Sequence, residues 1–214
     1  MTPLRFNVLK SATLVGRGGT SGIGVHSFNK GQFVWDAGHA YPSEKSEIAP
    51  SSISSAVPPP NVVAQFPCHW ISIVHFRFEQ DGPHGEQEQQ VFERFCPTPH
   101  DDTLFALKAV KSFLVPGLLE QREDLLQEGI RRLQQGGLKR IEWEYQGSIT
   151  SAFRHHWTTL GRPEALGLSS FGPTMYVVTT RPESVVESIK TFGHSPLHLV
   201  VTSVNNMGYS LETL

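Results

Sequence analysis

Five glycines fall within nine residues at Gly16-Arg-Gly-Gly-Thr-Ser-Gly-Ile-Gly24, a density that the interior of neither a helix nor a strand tolerates. Glycine loses more conformational freedom on folding than any other residue, so such a run is kept where the backbone turns sharply or lies close against a ligand. Ala12-Thr-Leu-Val15 enters as a short apolar approach, read as extended, and Val25 to Asn29 leaves as a short helix. The loop has the chemistry of an anion cradle. Its glycines expose backbone N–H groups, Thr20 and Ser21 add hydroxyl donors, and Arg17 adds a charged fork, which together suit a phosphate or diphosphate. No Gly-Lys-Ser/Thr follows, so it is not a Walker loop, and no acidic residue is placed for a dinucleotide fingerprint.

The rest of the chain supplies both strand and helix patterns. Gln32 to Ala37 reads as a strand ending at Gly38-His39, and Trp70-Ile-Ser-Ile-Val-His-Phe-Arg-Phe78 is a β-branched and aromatic strand between turn signals. Tyr41 to Pro60 is Ser/Pro-rich and reads as an excursion or loop. Helices are expected over Glu86–Phe95, over a stretch capped by Asp101 or Asp102 with Leu104, Leu107, Val110 and Leu114 at helix spacing, and over Leu118–Leu133 up to Gly136-Gly137. Pro116 is expected to stop or kink the second of these. A second small-residue loop, Gly167-Leu-Ser-Ser-Phe-Gly-Pro-Thr174, feeds a strand over Met175–Thr180, a helix from Pro182 to about Phe192 and a last strand over Leu197–Ser203. The order gives an α+β fold with no solenoid repeat.

The 214 residues suit one large domain or a domain with an appendage. Eighteen Lys+Arg against 20 Asp+Glu leave a net charge of -2, too little positive field for a general nucleic-acid or membrane-surface binder. No apolar run approaches a bilayer span and Met1–Lys10 has no signal-peptide core, so the default address is the cytoplasm. Cys68 and Cys96 lack CxxC spacing and are read as inert thiols. His155-His156 has no third ligand at metal spacing, and no metal site is expected.

Six blocks add specificity: Val15–Val25 (VGRGGTSGIGV), Phe33–His39 (FVWDAGH), Val57–Asn61 (VPPPN), His84–Glu88 (HGEQE), Gly137–Gln146 (GLKRIEWEYQ) and Gly167–Thr174 (GLSSFGPT). In this order they resemble the beta-ribofuranosylaminobenzene 5'-phosphate synthases, a branch of the GHMP kinase superfamily, from about Leu14 to Gly208. The resemblance implies a GHMP-kinase-like fold. Residues 1–66 would carry the glycine loop and the remainder of a ribosomal protein S5 domain 2-like N-terminal domain, and 67–214 a ferredoxin-like α/β sandwich. It implies condensation of 5-phosphoribosyl diphosphate with 4-hydroxybenzoate or 4-aminobenzoate, releasing carbon dioxide and pyrophosphate, in methanopterin biosynthesis. Mg2+ accompanying the diphosphate and a homodimer are compatible with it.

The expected site residues fall into two sets, the first carried by that resemblance and the second chosen by chemistry and position. Gly16, Arg17, Gly18, Gly19, Thr20, Ser21, Gly22 and Gly24, with Ser169, Ser170, Gly172 and Thr174 of the late loop, are expected to bind phosphate. Asp36 and His39, at a strand end, are expected to accept from the para group of the aromatic substrate, and His84 and Glu86 to serve its carboxylate-bearing ring or a metal-bound diphosphate. There are departures as well. Val25-His26-Ser27 stands where GHMP kinases carry Ser-Ser-Ala, which weighs against the alternative of an ATP-dependent small-molecule kinase. Leu168 and Phe171 replace a Gln and a Trp in the late loop, and Asn205-Asn206-Met207-Gly208 lacks the family's arginine. The family also places N-terminal strands ahead of the glycine loop that this chain lacks, so a noncatalytic subunit needing a partner is the third reading.

Overall fold

The computed structural model describes residues 7–40, 48–50 and 57–210; most of the Ser/Pro-rich stretch expected as a loop therefore lies outside the described residues. The chain divides into two compact units. The first is Met1–His69 with Gln89–Arg94 and Val204–Leu214, and the second is Trp70–Glu88 with Phe95–Ser203.

In the first unit, α1 (Val8–Leu14) precedes the glycine loop, α2 (Ile23–Lys30) follows it, and β1 (Phe33–Asp36) pairs antiparallel with β2 (Val62–Phe66). The extended approach expected before the loop is instead helical. Asn7 caps α1, its side chain accepting from the Lys10 N–H at 3.0 Å, and Gly16 at φ +69 ends it. That cap satisfies an otherwise orphaned N–H. Val8, Ala12 and Val25 form a small buried cluster against Tyr209, whose ring stacks on Phe28 at 5.1 Å. Gly31 is required where the chain turns from α2 into β1. It has φ +69, and a Cβ there would lie 2.2 Å from the Asn205 carbonyl.

In the second unit β3 (Ser72–Arg77), β4 (Leu166–Leu168), β5 (Met175–Thr179) and β6 (His198–Ser203) form an antiparallel sheet in the order β4-β5-β3-β6. Alternation puts Val74 and Phe76 of β3 level with Val177 and Met175 of β5 on one face. Phe153 and Trp157 of α8 (Ser148–Thr159), Val185 and Ile189 of α9 (Pro182–Lys190), and Trp143 of α7 (Gly137–Glu144) join them with Phe78 and Leu168 in the main core. Each such side chain contributes about 1.5–3 kcal/mol by leaving water.

The remaining helices are α3 (Glu86–Phe95), α4 (His100–Ala109), α5 (Val115–Leu119) and α6 (Glu123–Gln135). Pro116 does not stop the helical run: Val110–Leu114 widens to a π-helical turn ahead of it, and the proline then sits in the first turn of α5. The expected single helix Leu118–Leu133 is broken at Gln121, which takes φ 53, and resumes as α6.

Candidate functional site

In the first unit the glycine loop is fixed from two sides by residues of the other blocks. Asp36, the last residue of β1, accepts from Ser21 Oγ at 2.9 Å and from the Gly22 N–H at 2.6 Å through Oδ2. Its Oδ1 accepts from the Gly38 N–H at 3.2 Å. His39 Nε2 donates to the Gly18 carbonyl at 2.9 Å, and Thr20 Oγ1 donates to the Ala49 carbonyl at 2.6 Å. Gly18, at φ +91, lies so close to Pro59 that a Cβ would meet its ring at 2.6 Å, while Gly22 packs on Pro60. The blocks at Gly16, Asp36 and Pro59 are thus one contact cluster. Asp36 and His39, expected to face an aromatic substrate, hold the loop's own backbone here.

Several groups of the loop stay available for a ligand. Among the described residues no acceptor meets the amides of Gly18, Thr20 and Ser21, and the exposed Arg17 guanidinium has no hydrogen-bond or ion-pair partner. Gly22 is the N-cap of α2 with no side-chain cap, so the positive end of that helix adds to the loop's amides. The residues that replace the kinase motif are engaged otherwise. Val25 is in the small core, His26 Nε2 donates to the Pro60 carbonyl at 2.7 Å, and Ser27 Oγ donates to the Ile23 carbonyl at 2.7 Å. The final Asn-Asn block is a clasp: Asn206 accepts from the Cys68 N–H at 2.7 Å and donates to its carbonyl at 2.8 Å, over a buried Cys68.

In the second unit Gly167–Thr174 is the end of β4 and the turn into β5, closed by Ser169 N–H to the Thr174 carbonyl at 2.9 Å and Gly172 N–H to the Ser169 carbonyl at 2.8 Å. Ser169 and Ser170 are exposed, whereas Leu168 and Phe171 are buried. The two departures from the family's late loop therefore fill the interior beneath the turn. His84 is exposed and donates through Nδ1 to the Gly82 carbonyl at 2.9 Å; Gly82 packs against Pro173 of the turn. Glu86 lies in the first turn of α3, where its charge also suits the helix dipole.

Sequence reasoning missed the polar groups of α6, of α7 and of the residues just after α7 that lie beneath this turn. Lys139 Nζ donates to the Ser170 carbonyl at 2.6 Å and pairs with Glu142. Gln146 Nε2 donates to the Phe171 carbonyl at 2.9 Å, and Gln134 Oε1 accepts from the Leu168 N–H at 3.0 Å. Lys139 and Gln146 belong to the quoted block Gly137–Gln146, so the signal was present, but a helical block with no loop character announces no partner. Burial raises the Glu142 carboxyl above its ordinary 4.5, opposed by Lys139 and helped by Glu88. Because the folded state holds that proton more tightly, this group's stabilisation is full below about pH 4.5 and is lost as pH climbs through its folded value. Urea unfolding of wild type and Glu142→Gln at successive pH values from about 4 to 7 should show wild-type stability declining relative to the variant.

No family model matches the chain. Curated relatives do. The beta-ribofuranosylphenol 5'-phosphate synthase of Methanothermobacter thermautotrophicus is 37% identical over 208 residues, that of Archaeoglobus fulgidus 31% over 215, and that of Methanocaldococcus jannaschii 28% over 213. These alignments take in 96–98% of this chain but only 62–66% of the relatives, so the chain spans about two thirds of their length or slightly less. Among solved structures, homoserine kinase from Cytophaga hutchinsonii matches at TM-score 0.58 and 14% identity over 86% of this chain and 52% of its own. A putative homoserine kinase from Listeria monocytogenes matches at 0.54 and 15% over 96% and 60%. With the fold carried by the solved structures and the sequence likeness by the archaeal proteins, the chain is similar over nearly its whole length to the beta-ribofuranosylphenol 5'-phosphate synthases.

Proposed function

We propose that the protein is a pentosyltransferase that joins 5-phosphoribosyl diphosphate to 4-hydroxybenzoate or 4-aminobenzoate in methanopterin biosynthesis. The observation that carries the reading is that the six separated blocks fold into two contact clusters, three in each unit, instead of scattering over the surface. The reaction breaks the ribose C1–O bond to pyrophosphate and forms a bond from C1 to the ring carbon bearing the carboxylate. That carbon's bond to the carboxylate then breaks, carbon dioxide leaves, and the released electron pair restores the aromatic ring.

Negative charge develops on the departing pyrophosphate, so fixed donors are needed there. Arg17, the amides of Gly18, Thr20 and Ser21, and the start of α2 supply them. Ser169, Ser170 and Thr174 add hydroxyl donors for phosphate oxygens, and His84 with Glu86 serves the benzoate. Asp36 and His39 act through the loop that they fix. Phosphoryl transfer from ATP is not the reading, because Val25 and His26 are buried and Ser27 is bonded to its own helix.

Replacing Arg17 by alanine should weaken binding of 5-phosphoribosyl diphosphate by about 1.5–3 kcal/mol, read by calorimetry on the folded variant. The side chain is exposed and makes no described contact, so the fold should be unaffected; unchanged affinity would remove Arg17 from the diphosphate site.

A further inference from the structure

We propose that Lys139 and Gln146 are positioning residues that set the pose of the Ser169–Thr174 turn for a phosphate-bearing substrate. The inference rests on the functional reading above. Ser169 N–H to the Thr174 carbonyl and Gly172 N–H to the Ser169 carbonyl close the turn internally, and Ser170 takes φ 47. A non-glycine residue in that region is strained and persists only where its surroundings over-determine it.

What over-determines it comes from α7 and the residues just past its end. Lys139 Nζ binds the Ser170 carbonyl at 2.6 Å, and Gln146 Nε2 binds the next carbonyl, Phe171, at 2.9 Å while also donating to the Glu142 carbonyl at 2.9 Å. Two successive carbonyls are therefore drawn toward α7. A trans peptide is planar, with its N–H opposed to its C=O, so fixing those carbonyls also fixes the direction of the following amides. Gln146 is buried, and its Oε1 lies 2.4 Å from the position a Cβ on Gly172 would take, so only glycine fits above it. Below, Gln134 Oε1 holds the Leu168 N–H and the Trp143 indole N–H at 3.0 and 2.9 Å. The exposed Ser169 and Ser170 side chains are thus presented by a turn whose main chain is pinned at residues 168, 170 and 171. A cationic donor on a carbonyl is the stronger type of hydrogen bond, and Lys139 is held at that post by its pairing with Glu142.

Hydrogen exchange over residues 167–174, with calorimetry of 5-phosphoribosyl diphosphate, tests this on the same samples. Lys139→Met and Gln146→Leu should each speed exchange of the turn by about tenfold or more while the core strand β3 is unchanged. Lys139→Arg, which retains a cationic donor, should stay within about twofold of wild type. Affinity should fall about five- to tenfold in the first pair only. Unchanged exchange in Lys139→Met and Gln146→Leu overturns the clamp; faster exchange with unchanged affinity overturns the positioning role. Absence of binding by wild type overturns the functional reading instead, with the clamp still read by exchange. Lys139 is partly exposed, so its variant keeps the test intact if the buried Gln146 variant does not fold.

Discussion

Replacing Glu164 by alanine is expected to destabilise the protein by about 3–5 kcal/mol, the usual cost of leaving a buried charge without its counter-charge. The Glu164 side chain is 1% exposed. It accepts from Arg162 Nε at 3.0 Å through one oxygen and from Arg181 Nη2 at 3.0 Å through the other. The two arginines do not lose equally. Arg181 is 59% exposed and can return to water, whereas Arg162 is 17% exposed and is also tied to Ser184 and Ser188 of α9 at 3.0 and 3.1 Å. The expected loss is therefore that of one stranded guanidinium. The double variant Glu164→Leu with Arg162→Leu should recover most of it, since removing both charges removes the desolvation cost as well. Urea unfolding of the three proteins checks this; a single-variant loss below about 1 kcal/mol would mean that Arg162 swings out to solvent.

The strands β3, β5 and β6 and the helix α9 were legible because each packs one face of a short, strongly patterned segment between turn signals. What was not legible depended on partners far along the chain. Ser148–Thr159 carries Thr, Phe, His and Trp, none of them strong helix formers, yet it is α8 because Phe153 and Trp157 are buried in the main core. Residues Val8–Leu14 are helical with Asn7 as their cap, a partner that the apolar approach at Ala12–Val15 does not announce. The same holds for the candidate site. Its residue types were evident from the glycine loop and the block order, but the partners were not: Asp36 meets Ser21 and Gly22 across 15 and 14 residues, and Lys139 and Gln146 meet the late turn across 31 and 25. Sequence spacing carries no information about such pairs until the intervening chain has folded.

Asp36→Ala is expected to weaken diphosphate binding and the first unit together, with losses that total about 2–5 kcal/mol, even though it removes a negative charge from beside an anion site. Two effects of opposite sign compete. Deleting the charge should favour an anion by about 0.5–2 kcal/mol at a separation of ~8 Å and an effective dielectric between 80 and 20. Against this, Oδ2 accepts from Ser21 Oγ at 2.9 Å and from the Gly22 N–H at 2.6 Å, and Oδ1 from the Gly38 N–H at 3.2 Å. Hydrogen bonds to a charged acceptor contribute about 1.5–3 kcal/mol each, so two of them outweigh the relieved repulsion. Their loss frees the segment that must present its amides in one arrangement, and ordering it then falls to the ligand. Asp36→Asn separates the two effects, since it keeps an acceptor oxygen and the side-chain volume while removing the charge. Calorimetry with 5-phosphoribosyl diphosphate and urea unfolding should rank Asp36→Asn close to wild type and Asp36→Ala well below both. If alanine instead binds the diphosphate more tightly than wild type, Asp36 is only a nearby repulsive charge, and the loop owes its arrangement to His39, Pro59 and Pro60.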